Sequence, residues 1–134
     1  MGRASPNSLG KVLAFAAVVE VGTGLALMID PAIVITLLLG ANEAGQVAPL
    51  GRVLGIALLA LGLACRPSRQ RLDDGSQAFQ GMLTYNLLIA VYLAYIGTVG
   101  HLEGMLLWPG VVLHSVVALL LIWARRRCAT DSDR

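Results

Sequence analysis

Four long apolar segments constrain the fold of this chain more than any other feature of its sequence. They run over residues 9–29, 48–65, 78–97 and 105–124. Each has a length within the roughly 17–25 residues that a helix needs to cross a bilayer's hydrocarbon core. Lipid offers no partner to exposed backbone N–H and C=O groups, so each segment is expected to be a helix. None alternates apolar and polar residues as a transmembrane β-strand would. The sequence therefore predicts an all-α polytopic membrane protein.

The composition supports this class and bounds the size of the protein. Of the 134 residues, 57% are hydrophobic and only 13% are charged. Soluble domains carry about 25% charged residues, so the deficit of charge favours a membrane protein over a soluble one. The length suits a single transmembrane domain that covers residues 1–134.

The basic residues predict the orientation of the spans. Nine of the ten fall at one end of the bundle, and only Arg52 falls at the other. By the positive-inside rule the basic end is cytoplasmic. We therefore expect a multi-pass protein of the inner (plasma) membrane, with both termini and a tail over residues 125–134 in the cytoplasm. Topology accounts for these charges, so no nucleic-acid partner is predicted. The nine are Arg3, Lys11, Arg66, Arg69, Arg71, Arg125, Arg126, Arg127 and Arg134.

A short extra helix is predicted directly after the first span. Asp30 is a favourable N-cap residue and Pro31 suits the first helical position. The apolar run over residues 31–39 is too short to cross the membrane, so it should lie at the outer interface or dip in and return. Short loops make consecutive spans antiparallel neighbours, which gives an up-down four-helix bundle. In the second span Arg52, Gly55 and Gly62 are predicted to share the packing face with Leu59.

Three polar residues within the spans fall at a common depth. Counted from the inner ends of their spans, Glu20 and Asn86 each lie about 13 Å into the membrane and His114 about 16 Å. Together with Tyr85 they are expected to point inward and to meet. One interpretation is a buried polar network that fixes the helix register. The other is a proton-linked or ligand-polarising site, because polar groups at this depth are costly. No catalytic role is assigned, but Glu20 and His114 are the candidates for acid–base chemistry.

A second polar group is predicted toward the outer face. Arg52 enters the membrane at the start of the second span, at the height of Asp30, Tyr92 and Tyr95. One interpretation is an ion pair of Arg52 with Asp30 or Glu103, with the tyrosines as interfacial anchors. The other is an aromatic-lined cleft with Arg52 at its mouth, open to a lipophilic molecule from the outer leaflet.

No cofactor is predicted. Haem held by two histidines is not expected, because His101 lies in an outer loop far from His114. Glu20 and His114 alone are too few ligands for a metal ion, so no metal site is predicted. A lipid or a quinone remains as a candidate ligand.

Several sequence stretches give the chain a family resemblance. Pro31 follows the first span, "GRVLGIALLALG" (Gly51–Gly62) opens the second, "YNLL" (Tyr85–Leu88) lies in the third and "LLWPGVVLH" (Leu106–His114) in the fourth. With these features the chain resembles the bacterial DoxX-like proteins and their relatives. The resemblance implies a four-helix inner-membrane protein. DoxX-type members are associated, as partner subunits, with quinol oxidation and with thiol or oxidative stress.

Three hypotheses for the function follow. The leading one is a small integral membrane accessory protein or complex subunit, which packs against a partner protein or a second copy and holds a lipid or quinone-like molecule. The second is an intramembrane enzyme on a lipophilic substrate, with Glu20 as general acid or base, His114 as its partner and Arg52 orienting the substrate. The third is a proton-coupled small-molecule transporter that works as an oligomer.

Overall fold

The described residues of the chain form helices joined by short connections. The computed structural model describes residues 8–40, 44–66 and 75–132. The helices are α1 (Ser8–Ile29), α2 (Pro31–Leu39), α3 (Ala44–Ala64), α4 (Gly75–Thr98) and α5 (Leu107–Ser132). Of these, α1, α3, α4 and α5 are long and apolar enough to cross a membrane, with mean hydropathies of 2.2, 2.0, 1.4 and 2.0 over their candidate spans. The prediction of an all-α, four-helix membrane bundle is confirmed, and the chain is a small multi-pass membrane protein.

The last helix extends beyond the predicted fourth span. Residues 125–132, predicted as part of a tail, continue α5 as far as Ser132. Two arginines in this extension lie over aromatic rings. The guanidinium carbon of Arg125 is 4.6 Å from the centroid of the Phe79 ring, and that of Arg127 is 4.0 Å from the Trp123 ring. These cation–π contacts stabilise the turn that follows the apolar segment.

The short helix α2 begins and ends as its sequence predicts. A carboxylate oxygen of Asp30 accepts a hydrogen bond from the backbone N–H of Ile33 at 3.1 Å, and Pro31 occupies the first turn. At the other end Gly40 adopts the left-handed conformation (φ 70°), and its N–H donates to the Thr36 carbonyl at 2.8 Å. A left-handed residue at this position is the usual helix stop and favours glycine.

Helix α2 packs across one end of the bundle. Its first residue, Pro31, is buried against Gly51 of α3. Near its other end, the Leu37 carbonyl accepts a hydrogen bond of 2.8 Å from the N–H of Leu106, just before α5. The backbone of Gly104 lies against Leu38 so closely that a Cβ at this glycine would collide with the Leu38 carbonyl. Helix α2 therefore ties α3 to the connection between α4 and α5.

Helix α1 lies at the centre of the bundle. It packs most extensively on α3 and, on its other side, on α5 and α4, which also pack on each other. Consecutive spans were expected to be neighbours, but the described parts of α3 and α4 barely touch. Small residues let α1 approach α3 closely. A Cβ at Gly24 would lie 2.7 Å from the Gly55 carbonyl oxygen, and one at Gly62 would lie 2.8 Å from the Ala17 carbonyl oxygen.

One residue predicted on the packing face of α3 lies elsewhere. Gly51, Gly55 and Gly62 are buried against α1 and α2, whereas Arg52 is exposed. A charged side chain cannot enter a contact in which even a methyl group would collide. Arg52 therefore lies off the packing face, whereas Gly55 and Gly62 take the role that their spacing predicted.

Two apolar clusters fill the core and leave a polar level between them. The first joins α1, α4 and α5 near the N-terminal end of α1, around Met82 and Leu121, both fully buried. The second lies toward α2, around Leu93, Ile96 and Leu107. Along α4, Asn86 falls between Met82 of the first cluster and Leu93 of the second. This is the level at which the polar residues of the spans meet.

Candidate functional site

Two polar side chains are buried in the described part of the bundle. Glu20 on α1 and Asn86 on α4 are each only 1% exposed. Tyr85 on α4 and His114 on α5 are half-buried beside them. These four residues are called the midplane cluster below. The structure thus brings together the four side chains that were predicted to share one depth, although they come from three helices.

Asn86 and His114 form a directional hydrogen bond. The Asn86 side-chain N–H group donates to the Met82 carbonyl at 2.8 Å, one turn earlier in α4. This fixes the amide so that its oxygen faces the His114 Nδ1 atom, 2.9 Å away. An amide oxygen can only accept, so Nδ1 carries the proton and donates it. In the neutral ring the Nε2 atom of His114 then keeps its lone pair.

Tyr85 connects the histidine to the carboxyl group. Its ring meets the His114 ring edge-on, with centroids 5.7 Å apart and an interplanar angle of 82°. Its hydroxyl group is placed to donate a hydrogen bond to the Glu20 carboxyl group. Edge-on aromatic pairs are stabilising in this geometry. A continuous set of contacts therefore runs from α1 through α4 to α5.

One atom of the cluster has no partner. The Oε2 atom of Glu20 is buried and makes no hydrogen bond within the described residues. Leaving a buried acceptor unsatisfied costs about 1–3 kcal/mol, and more for a charged group. Apolar clusters on both sides of this level offer it no polar side chain. Glu20 is therefore the place in the bundle where a further hydrogen-bonding group would be stabilising.

The predicted outer group is not gathered into a site. Arg52 is exposed on α3, and Tyr92 and Tyr95 on α4 are 59% and 56% exposed. Because α3 and α4 barely touch, the tyrosines do not line a cleft with Arg52. Asp30 uses its carboxylate to cap α2. The exposed tyrosines fit the interpretation of interfacial anchors better than that of a binding cleft.

Metal-ligand residues do not gather in the part of the chain that the structure describes. No three His, Cys, Asp or Glu side chains there lie close enough to hold an ion. His101 lies in the connection between α4 and α5, at φ 52°, while His114 lies inside α5.

Sequence reasoning missed one member of the polar contacts, the backbone carbonyl of Met82. No residue type signals such an acceptor, because every residue carries a carbonyl group. The signal lies only in the spacing, since a side chain inside a helix can bond the carbonyl four residues earlier. That bond decides which end of the Asn86 amide faces His114.

Comparison of the chain with family models, curated proteins and solved structures finds no match. The function must therefore be argued from the site itself.

Proposed function

We propose that the protein is a small integral membrane accessory protein or complex subunit, in which the midplane cluster holds α1, α4 and α5 in register. The proposal includes membership of the DoxX-like proteins that the sequence resembles. It also includes a location in a bacterial inner membrane, with both termini in the cytoplasm. The observation that carries it is that Glu20 and Asn86 are each 1% exposed, while the Asn86–His114 hydrogen bond joins α4 to α5 and the Tyr85 hydroxyl faces Glu20 of α1.

The closed geometry favours a register role over catalysis. A substrate must reach the atoms that react with it, but the carboxyl group of Glu20 and the amide of Asn86 are buried in the bundle. Polar contacts between membrane helices contribute about 0.6 kcal/mol each on average. Their main effect is specificity, because sliding α5 by one residue would separate His114 from Asn86 and leave both unsatisfied.

The outer surface supports a protein that is surrounded by lipid or by partner helices. Val18, Val91 and Leu119 are 71%, 69% and 66% exposed, each on a different helix. Apolar surface of this extent is expected only in contact with hydrocarbon or with another apolar surface. In a complex, part of this surface would contact a partner protein or a second copy.

The first experiment replaces Glu20 by glutamine and by leucine. Glutamine still accepts the hydrogen bond from Tyr85, so Glu20→Gln should keep the fold and assembly. Glu20→Leu leaves the Tyr85 hydroxyl without its acceptor and should cost roughly 1–3 kcal/mol. Thermal unfolding of the detergent-solubilised protein measures the stability of each variant, and size-exclusion chromatography measures its assembly. The matched control is Glu103→Gln, the same change at an exposed position.

Native mass spectrometry in mild detergent tests the subunit role itself. A partner protein or a stable homo-oligomer that co-purifies is the expected result. Equal stability of Glu20→Leu and Glu20→Gln would contradict the register role, and a bare monomer with no bound partner would contradict the subunit role.

The unpaired Oε2 atom of Glu20 favours a second candidate, a proton-linked function. A carboxyl group with one free oxygen and a histidine with a free Nε2 atom can together accept and release a proton. This would serve a proton-coupled transporter, or an enzyme acting on a quinone-like or other lipophilic molecule. Vesicles with an internal pH dye test it. Proton flux that is lost in Glu20→Gln, with the fold intact, would support this candidate, and flux equal to that of empty vesicles would remove it.

A further inference from the structure

A groove on the membrane-facing side of α1 and α3 is separate from the midplane cluster. It has a volume of about 400 Å³, within the roughly 300–1,000 Å³ of small-molecule sites. Its lining is of small and apolar residues, which include Ala14, Ala17, Val18, Gly22, Gly62 and Leu63. Val18 and Leu63 are 71% and 50% exposed, so the groove opens to the lipid.

One end of the groove is positively charged. Among the described residues that line it, Arg66 is the charged one and none is acidic. Lys11 is exposed on α1, three residues before Ala14 and seven before Val18. Residues three, four and seven apart lie on one face of a helix, so Lys11 extends the groove wall of α1.

Both cations lie at the same end of the groove. Helices α1 and α3 are antiparallel, because Gly24 meets Gly55 while Ala17 meets Gly62. Lys11 lies about 9 Å before Ala17 along α1, and Arg66 lies four residues beyond Gly62 in the same direction, just after α3 ends at Ala64. The two positive charges therefore lie at the basic end of the bundle.

The length of the groove matches one leaflet. From Ala14 to Gly22 it follows α1 for about 12 Å. Half of a hydrocarbon core about 30 Å thick is about 15 Å. An apolar channel that starts at two cations and ends near the midplane has the dimensions of one acyl chain below its headgroup.

We propose that this groove binds an anionic phospholipid of the leaflet at the basic end of the bundle, with one acyl chain between α1 and α3 and its phosphate between Lys11 and Arg66. The complementary charge selects this occupant, because a neutral apolar molecule would gain nothing from the two cations. The site rests on the proposed function only in that the chain spans a membrane, and it does not involve the midplane cluster.

The test titrates the detergent-solubilised protein with dioleoylphosphatidylglycerol, and separately with dioleoylphosphatidylcholine, by native mass spectrometry. One phosphatidylglycerol should bind in preference to phosphatidylcholine. A basic residue near an anionic surface contributes about fivefold in affinity, so Lys11→Gln with Arg66→Gln should weaken binding about thirtyfold. Arg126→Gln, which removes one charge at the same end but on α5, should leave binding unchanged.

A second variant tests the groove without changing charge. A Cβ at Gly22 meets no atom within 4 Å, and the same holds at Gly10 outside the groove. Gly22→Leu should therefore fill the groove and abolish saturable phosphatidylglycerol binding, while Gly10→Leu should bind as the unmodified chain does. Circular dichroism checks that each variant is folded.

Several results would overturn the proposal. They are equal binding of the two lipids, competition by inorganic phosphate alone, or Gly22→Leu binding as tightly as Gly10→Leu. These outcomes are independent of the proposed register role. Glu20→Leu changes the stability of the bundle, whereas the groove variants leave the midplane cluster untouched.

Discussion

Gly24 on α1 is a residue at which the smallest substitution, glycine to alanine, should destabilise the bundle. A Cβ there would lie 2.7 Å from the Gly55 carbonyl oxygen and 2.8 Å from the Leu59 backbone nitrogen. Both are backbone atoms of α3, so no side chain can rotate away to make room. Gly24→Ala must therefore push α1 and α3 apart.

The size of the effect follows from these distances. Ordinary van der Waals contact begins at 3.4 Å, so the helices must separate by about 0.7 Å (3.4 − 2.7) at this crossing. A gap of about 0.5–1 Å removes roughly a quarter to a half of the dispersion energy of the atoms involved. Overpacking of this kind costs about 1–3 kcal/mol, against which alanine gains about 1 kcal/mol in helix propensity over glycine.

Gly22, two residues earlier on the same helix, provides the matched control. A Cβ at Gly22 meets no atom within 4 Å, so Gly22→Ala gains the propensity without the collision. The propensity contribution cancels when the two variants are compared. Gly24→Ala should therefore be less stable than Gly22→Ala by about 1–3 kcal/mol.

The assay is unfolding of the purified protein in mixed micelles with an increasing fraction of dodecyl sulfate, followed by circular dichroism. The reciprocal variant Gly55→Ala should behave like Gly24→Ala, since its Cβ would lie 2.7 Å from the Gly24 carbonyl oxygen. The double variant should cost less than the sum, because one separation of the helices relieves both collisions. If Gly24→Ala unfolds together with Gly22→Ala, the close approach of α1 and α3 does not exist.

Two further predictions concern individual hydrogen bonds. A double-mutant cycle of Asn86→Ala and His114→Ala should give a coupling free energy of about 0.6–1.7 kcal/mol, measured by the same unfolding assay; a value of zero would mean that the 2.9 Å contact does not stabilise the fold. Asp30→Ala should destabilise α2 by about 1 kcal/mol, seen as faster hydrogen exchange at the Ile33 amide, while Asp30→Asn should keep the cap. Equal exchange in the two Asp30 variants would contradict the capping role.

Features that depend only on neighbouring residues in the sequence could be predicted from the sequence. The start of α2 follows from Asp30 and Pro31, because an N-cap side chain and a proline act within one helical turn. The spans follow from the length of apolar sequence that lipid requires. The extension of α5 to Ser132 was missed, because the ring contacts of Arg125 and Arg127 cannot be read from a hydropathy pattern.

The depth of a residue along its helix could be counted from the sequence, but the position of each helix around the bundle could not be predicted. The fixed rise per residue put Glu20, Asn86 and His114 at one level, and the structure brings them into contact with Tyr85. The same count put Arg52 at the height of the outer tyrosines. It could not show that α1 lies between α3 and the pair α4 and α5, which keeps Arg52 away from them.

The sequence by itself determined the environment of this protein, its four spans, its short outer helix and the level of its polar residues. Each of these depends on one segment at a time, through hydrocarbon thickness, capping and helical rise. Tertiary structure alone decided which helices are neighbours, which oxygen of Glu20 is left without a partner, and where a groove opens beside Lys11 and Arg66. Those features arise from contacts between segments far apart in the chain.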